Sequence, residues 1–282
     1  MKSFCKSLLA VLLLFACAPA LAALRGYSVV VSSTNCAGPC TIADTYAGAN
    51  GVQVGDEIII VTAWTNGNST PGSVTDPSAF TSGGSLSPSI PTTNIDTPTP
   101  NAFMHIAVKT AASGDVGFQT YSTTLASGGY YSQMIVVESG RSGTINNQIV
   151  TATSGESTSN SFSYSVSGLT ALTGDDVLVF IAGALPAGNG AATFSASIPG
   201  YTNSLNSSGG GTYTPPMMFL DNLNVSSGAF GPLAATITTS TTLTLAQAAF
   251  TLSIPAAGSS FTPGVVLSNG HILLSNGHPV VQ

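Results

Sequence analysis

Charge is what this sequence has least of. Asp, Glu, Lys and Arg make up 6% of the 282 residues, against about 25% in a typical soluble domain. After residue 22 the basic side chains are Arg25, Lys109 and Arg141, which against 11 acidic ones leave a net charge of −8. Nucleic acids and anionic membrane surfaces are bound through clustered Lys and Arg, so we expect neither as a partner.

A long apolar run is also missing. Leu8–Cys17 is about 10 residues long, whereas a transmembrane helix needs roughly 20. Two lysines precede this run and Ala20-Leu21-Ala22 follows it, a pattern typical of a signal peptide cleaved after residue 22. Leu14-Phe15-Ala16-Cys17 resembles a lipobox with an unusual Phe, so lipidation of Cys17 is the alternative. We predict an extracellular or cell-surface protein with no transmembrane helix after cleavage.

Cysteine is scarce. Of the four cysteines, Cys5 and Cys17 lie in the signal peptide and Cys36 and Cys40 remain. An even pair in an exported chain predicts a disulfide across the short turn between them. Half of a metal site is the alternative, but no second Cys/His pair has a matching spacing.

A sustained apolar period of 3.6 residues is absent after the signal, whereas period-two runs are frequent. The fold class is therefore all-β, and we predict two tandem antiparallel β-sandwich domains (jelly-roll or Ig-like) with a short C-terminal β-meander. The predicted strands are Tyr27–Ser33, Glu57–Trp64, Phe103–Lys109, Val116–Thr124, Ser132–Glu138, Ser161–Ser167, Asp176–Ala182, Met217–Leu223, Ala234–Thr238 and Ala248–Ile254.

The two halves of the chain resemble each other. Gly55-Asp56-Glu57 matches Gly174-Asp175-Asp176, each before an apolar strand, and at an offset of 114 Met104 falls on Met218 and Gln133 on Gln247. These landmarks predict a duplication, and chance recurrence in a Ser/Thr/Gly-rich chain is the alternative. The predicted segments are a signal peptide (1–22), a first sandwich with an insertion holding the cysteines (23–155), a second sandwich (156–255) and a tail (256–282). The predicted linker between the sandwiches is Thr151–Asn160.

A Gly-Asp strand start, a variable loop, Ala111–Asp115 (AASGD) and a closing Val136–Gly140 (VVESG) follow one another in the first half. This order resembles β-sandwich modules of phage tail and fibre proteins and of secreted bacterial proteins of unknown function. The resemblance covers roughly residues 50–142 and 161–254, and its motifs are structural. It implies a role in display or attachment and carries no catalytic residues across.

Motifs that would indicate catalysis or metal binding are few. The sequence has no G-x-S-x-G elbow, no H-E-x-x-H and no P-loop, so an extracellular hydrolase is only a second alternative and no catalytic residue or cofactor is assigned. The paired acids Asp56-Glu57 and Asp175-Asp176 are candidate calcium ligands, with Asp115 and Asp221 as additional ligands. We prefer a role in turns, because each pair follows a Gly at a strand start. His105 lies within a strand, where a structural role is preferred.

Two long segments, 67–102 and 183–216, are the candidate recognition loops. Long connections in compact domains are usually functional or disordered, and aromatic side chains among small polar residues suit sugar stacking or protein contacts. The candidate binding residues are Phe80, Phe194, Tyr201 and Tyr213. We therefore predict a secreted or surface-exposed structural or adhesive protein with a protein or glycan partner, and a carbohydrate-binding module is the alternative.

The C-terminal tail contains a short tandem repeat. Leu267–His271 (LSNGH) recurs as Leu274–His278. Asn-Gly between apolar residues is a strong hairpin signal, so two turns are predicted that pair Ser268 with His271 and Ser275 with His278. The resulting apolar face is expected to be buried on the second sandwich or on a neighbouring subunit, so we predict that the tail is a docking element or assembles a homo-oligomer.

Overall fold

The computed structural model describes residues 23–32, 35–66, 73–86, 101–139, 147–156, 161–166, 169–184, 194–206, 214–230, 232–239, 244–254, 267–268, 271–272, 274–275 and 278–279. The regular elements in these residues are antiparallel β-strands, apart from one 3-10 turn at Ser113–Asp115. The predicted all-β fold class is therefore confirmed.

The first half of the chain forms a large sheet and a smaller sheet that covers one of its faces. Its strands are β1 (Ala23–Val31), β2 (Cys36–Ala37), β3 (Cys40–Thr45), β4 (Glu57–Asn66), β5 (Val74–Thr75), β6 (Thr81–Leu86), β7 (Asn101–Thr110), β8 (Thr120–Leu125) and β9 (Gly128–Ser139). The large sheet, called here the first sheet, has the order β1-β9-β4-β7-β6, with β2 also paired to β9. The first cover sheet has the order β3-β8-β5.

The second half is built in the same way. Its strands are β10 (Asn147–Glu156), β11 (Ser161–Val166), β12 (Leu169–Ala171), β13 (Asp176–Ala184), β14 (Phe194–Ser197), β15 (Thr202–Asn206), β16 (Met217–Asn222), β17 (Gly228–Phe230), β18 (Leu233–Thr239) and β19 (Thr244–Ile254). The second sheet has the order β10-β19-β13-β16-β15, and β11-β18-β14 and β12-β17 are the second cover sheets.

The strand orders of the two large sheets correspond position by position, with β1, β9, β4, β7 and β6 matching β10, β19, β13, β16 and β15. The turns before β4 and β13 also make equivalent hydrogen bonds. Gly55 N–H donates to Ala111 C=O in the first half and Gly174 N–H donates to Val225 C=O in the second, both at 2.8 Å. Both glycines have a positive φ, 86° and 87°, which glycine adopts without steric cost.

Matching the two turns fixes which residues correspond along the ladders. Ala63 then matches Ala182, and their partners on the next strand are Met104 and Met217. The predicted match of Met104 with Met218 is therefore wrong by one residue, since the second half has an extra residue after β16, where Asn224 adopts a φ of 53°.

Gln133 and Gln247 lie on matching strands but not at matching positions. Gln133 pairs with Thr62 on β4, whereas Gln247 pairs with Gly183 on β13. Since Thr62 matches Ile181, the predicted alignment of the two glutamines is shifted by two residues.

One apolar core contains side chains of both large sheets, which therefore pack face to face. The first sheet contributes Ile59, Val61, Ala63, Met104, Ile106, Val108, Met134 and Val136, and the second contributes Leu178, Phe180, Ala182, Met217, Phe219 and Ile254. The Phe180 and Phe219 rings are stacked 5.0 Å apart, and Tyr27 of β1 meets Phe219 edge-on at 6.5 Å. We call these residues the shared core.

The shared core explains why β4 and β13 are apolar without alternation. Ile58 and Ile60 face the first cover sheet while Ile59 and Val61 face the second sheet. Strands buried on both faces read as continuous apolar runs. Two hydrogen bonds add to this contact: Ser132 Oγ donates to Pro215 C=O and Thr214 Oγ1 to Ser32 C=O, each at 2.5 Å.

The two remaining cysteines form the predicted disulfide, which is confirmed. Cys36 and Cys40 are joined across a Cα–Cα distance of 5.9 Å. Cys36 lies in β2, which pairs with Gly128 and Gly129 of β9, and the Cys40 side chain packs in a core with Trp64. The disulfide therefore ties the first cover sheet to the β9 end of the first sheet.

Three segments predicted to be irregular contain strands. The candidate loop 67–102 includes β5 and β6, and the candidate loop 183–216 includes β14 and β15. The predicted linker Thr151–Asn160 is occupied up to Glu156 by β10, which pairs with β19 and so belongs to the second sheet. These strands lie at sheet edges or in the smaller sheets, where polar sequences lack the alternation that predicts a strand.

The C-terminal strands belong to a separate unit from Ala20–Ala256. They are β20 (Leu267–Ser268), β21 (His271–Ile272), β22 (Leu274–Ser275) and β23 (His278–Pro279). Ser268 pairs with His271 and Ser275 with His278, which is the predicted register. In the described part of this tail the two hairpins are separate ladders rather than one three-stranded meander. Their role in assembly stays a prediction.

Candidate binding cleft

The structure brings one of the four candidate aromatic residues to a cleft. Phe80 is half-buried in the wall of a cleft of about 440 Å³ on the first half. Tyr201 packs against two apolar cores of the second half, and burial raises its pKa to about 12. The side chain of Phe194 and all of Tyr213 lie outside the described residues.

The Gly-Asp acids take part in the turns that precede β4 and β13. Asp56 Oδ2 accepts the Gln53 N–H at 2.7 Å, and Asp175 Oδ2 accepts the Leu172 N–H at 2.9 Å. Asp56 also pairs with Arg25, whose Nε lies 2.5 Å from Oδ2. These contacts are the turn role that the sequence analysis preferred for these acids.

The second acid of each pair is buried. Glu57 points to the side of the shared core, directly opposite Glu138 on β9, and Asp176 Oδ1 accepts the Asn224 N–H at 2.6 Å. Among the described residues no group of three or more His, Cys, Asp or Glu side chains is arranged to hold a metal ion.

The cleft lies between the loop after β5, the end of β7, the 3-10 turn and the start of β8. Its lining includes Asp76 and Phe80 of the loop, Lys109 of β7, Asp115 of the 3-10 turn and Tyr121 of β8. These side chains come from four different elements, so the cleft exists only once the first half has folded.

The loop Asp76–Phe80 is held by a tight turn. Phe80 N–H donates to Pro77 C=O at 3.2 Å, and Ala79 has a φ of 68°. A non-glycine residue in this region costs about 1 kcal/mol or more, and such residues are concentrated at functional sites. The turn places the Phe80 ring edge-on to Tyr121, with ring centroids 5.4 Å apart.

Lys109 and Asp115 form an ion pair inside the cleft. Lys109 Nζ lies 2.7 Å from Asp115 Oδ1 and 5.6 Å from the centre of the Phe80 ring, close enough for a cation–π contact. Asp115 Oδ2 also accepts the Ala112 N–H at 2.9 Å, which fixes the carboxylate at the 3-10 turn. Backbone and cation together hold this acid in one orientation.

Tyr121 is the most informative side chain of the cleft. Only 6% of its surface is exposed, and its hydroxyl is buried without a hydrogen-bond partner in the described structure. Burial and, secondarily, the charge of Asp115 raise its pKa, so the hydroxyl is protonated at neutral pH. A buried hydroxyl without a partner costs about 1–3 kcal/mol. A ligand that displaces part of the cleft wall would supply that partner.

A row of polar side chains in the first sheet supports the cleft from inside. Thr62 lies on β4 between His105 and Gln133, and its Oγ1 donates to Gln133 Oε1 at 3.0 Å. His105 Nε2 lies 2.6 Å from Asp76 Oδ1. All three residues are buried, and we call them the polar row. His105, for which a structural role was preferred, therefore positions the first residue of the cleft loop.

A second polar contact lies in the same interior. Asp44 of the first cover sheet accepts a hydrogen bond from Ser28 Oγ of β1 at 3.3 Å. Burial raises the pKa of Asp44 to about 6, while the bond from Ser28 opposes that rise. The first half thus encloses one acidic group, Asp44, whose pKa lies close to the neutral range.

Sequence reasoning selected Phe80 but missed most of the residues that line the cleft with it. Asp76, Lys109 and Tyr121 were not candidates, and Asp115 was considered only as a calcium ligand. The available signal was Lys109, the only lysine after the signal peptide, six residues before Asp115 in a chain with few charges.

Comparison with protein-family models, curated proteins and solved structures finds no match to this chain. Within the described ranges no helix is long and apolar enough to cross a membrane. The function must therefore be argued from the cleft itself.

Proposed function

We propose that this protein is a secreted or surface-exposed, non-enzymatic adhesive protein that binds its ligand in the cleft of the first half. The signal-like N-terminus and the Cys36–Cys40 disulfide support a location outside the cytoplasm. We also propose that the two halves are copies of one ancestral sandwich, for which the common strand order and the shared turn hydrogen bonds are the support.

The buried Tyr121 hydroxyl at the cleft is the observation that carries this proposal. Its position beside Phe80 and an ion pair combines an apolar wall with a few fixed polar groups, which is the usual composition of a small-molecule site. The ionisable groups at the cleft are engaged with each other, an arrangement that suits binding more than proton transfer.

The test is adhesion of beads coated with the chain lacking residues 1–22 to cells of the organism that makes it. Phe80→Ala should reduce adhesion at least tenfold, because it removes the apolar wall. Phe118→Ala is the matched control, since Phe118 is an exposed Phe of the same half outside the cleft. Cell fractionation should find the native protein outside the cytoplasm.

Thermal unfolding of both variants separates binding from folding. Equal loss of adhesion in Phe80→Ala and Phe118→Ala, or full adhesion of a folded Phe80→Ala variant, would show that the cleft is not the binding site. A cytoplasmic location would contradict the proposed role at a surface.

A further inference from the structure

The ionisable side chains Lys109, Asp115, His105 and Asp76 are engaged with one another. Lys109 Nζ is 2.7 Å from Asp115 Oδ1, and His105 Nε2 is 2.6 Å from Asp76 Oδ1. A charged ligand would have to break one of these pairs or remain unpaired in a partly desolvated site, and an unpaired buried charge is strongly unfavourable. The cleft therefore selects for an uncharged ligand.

The groups left to contact a ligand are mostly hydroxyls. The Tyr121 hydroxyl is enclosed and has no partner in the described structure, so a ligand reaches it only when a side chain of the cleft wall moves aside. Ser78 and Ser122 line the cleft at exposed positions, and Thr120 also lines it but is bonded to Thr45. A hydroxyl donates one hydrogen bond and accepts two. Such groups are best satisfied by a ligand whose own groups both donate and accept, and sugar hydroxyls meet that requirement.

The Phe80 ring gives the cleft one apolar wall. A pyranose presents C–H groups on one face and hydroxyls around its edge, so it can place the face against an aromatic ring while its edge bonds to hydroxyls. The volume of about 440 Å³ lies within the range of about 300–1,000 Å³ typical of small-molecule sites, which suits a short glycan segment.

We propose that the cleft binds a segment of a neutral glycan, with the Tyr121 hydroxyl bonded to a sugar hydroxyl and Phe80 against a sugar ring. This inference rests on the proposed function and specifies the chemical class of its ligand.

Affinity electrophoresis of the chain lacking residues 1–22 tests this inference. The gels contain a neutral polymer (dextran, galactomannan or mixed-linkage β-glucan), an anionic one (alginate or heparin) or a cationic one (chitosan). Retardation is expected with at least one neutral polymer. Tyr121→Phe should weaken that binding about tenfold, because it removes one buried hydrogen bond and keeps the ring.

Tyr46→Phe is the control for Tyr121→Phe. Tyr46 is also buried in the first half with a hydroxyl that has no partner in the described structure, but it does not line the cleft. Its removal should leave binding unchanged. Ser122→Ala, at an exposed position of the cleft, gives a second variant that does not depend on how the core tolerates Tyr121→Phe.

The neutral-glycan assignment would be overturned if the protein bound only charged polymers, or if Tyr121→Phe bound as well as the wild type. Neither result would contradict adhesion through the cleft. Adhesion that depends on Phe80 without retardation by any polymer would overturn it in favour of a protein ligand. Loss of Phe80-dependent adhesion would instead remove the proposed function on which it rests.

Discussion

The two halves share a framework but differ in what they enclose. On the first sheet, Thr62, His105 and Gln133 face the first cover sheet; the residues at the matching ladder positions of the second sheet are Ile181, Met218 and Ala249. Ile181 and Met218 lie in an apolar core with the second cover sheets. The same strand order thus encloses a polar row in one half and aliphatic side chains in the other.

This difference separates what the fold requires from what it does not. The second half shows that the strand order forms without polar groups at these positions, and buried polar groups stabilise only when they are fully hydrogen-bonded. The polar row in the first half is bonded to Asp76, the first residue of the cleft loop. His105 of the row thus holds the cleft loop, whereas Gln133 Nε2 is buried without a partner in the described structure.

The largest expected effect comes from breaking the core that the halves share. Phe219→Ala in the second sheet removes contacts with Phe180 and with Tyr27 of the first half, and truncating a buried Phe costs about 3–5 kcal/mol. Trp64, the single tryptophan of the chain, is buried in the first half. Its fluorescence in a denaturant titration should therefore report the lower stability.

The control for this prediction is Phe118→Ala, at an exposed position of the first half. It should leave the fluorescence midpoint nearly unchanged. If Phe219→Ala leaves the Trp64 transition unchanged, the two halves unfold independently and the shared core does not couple their unfolding.

A medium effect on stability is expected from Asp44, a buried acid of the first half. Asp44 has a folded pKa of about 6 against 3.8 when exposed, so its contribution to stability is complete below pH 4 and is lost as pH rises through 6. The full shift corresponds to about 3 kcal/mol, of which solvent screening leaves about 1–2 kcal/mol. Asp44→Asn should be more stable than the wild type by that amount at pH 7.5.

The same substitution in the second half sharpens the comparison. Burial also raises the pKa of Asp221, which is likewise bonded by one serine, Ser204. Free energies of unfolding measured from pH 4 to pH 8 should show Asp44→Asn and Asp221→Asn each flattening the profile in the same direction. A wild type that is more stable than Asp44→Asn at pH 7.5 would contradict the burial of that charge.

The smallest effect is expected at the two turns that the halves have in common. Gly55→Ala and Gly174→Ala each force a side chain into a positive φ, at a cost of about 1 kcal/mol. Because the two turns make the same hydrogen bonds, the two variants should lose similar stability in a thermal melt. Costs that differ several-fold would show that the turns are equivalent in geometry but not in energy.

The strands that could be predicted are those whose burial gives a recognisable pattern of apolar residues in the sequence. Strands such as β4 and β13 are apolar and follow Gly-Asp turns, and the tail register follows from Asn-Gly. In contrast, β6, β10 and β15 are polar strands at the edges of the described sheets, where only one side of each strand pairs with another strand. Their sequences resemble loops, and only the pairing with a buried strand identifies them.

The cleft could be predicted only in part, for a related reason. Phe80 was selected as an aromatic residue in a long connection, a property visible in the sequence. Lys109, Asp115 and Tyr121 meet it through the register of β7 and β8 and through a 3-10 turn. Local patterns predict that a strand is buried but do not specify which strand it meets.

The shared core also affects how the chain is made. A ribosome completes the first half, through Ser139, before the last strand of the second sheet, which ends at Ile254. At about 5–20 residues per second this interval is on the order of 10 s. Throughout it the apolar face of Ile59, Val61 and Met134 has no cover. A first half that folds before the second sheet packs onto it would therefore expose an apolar face, which favours aggregation.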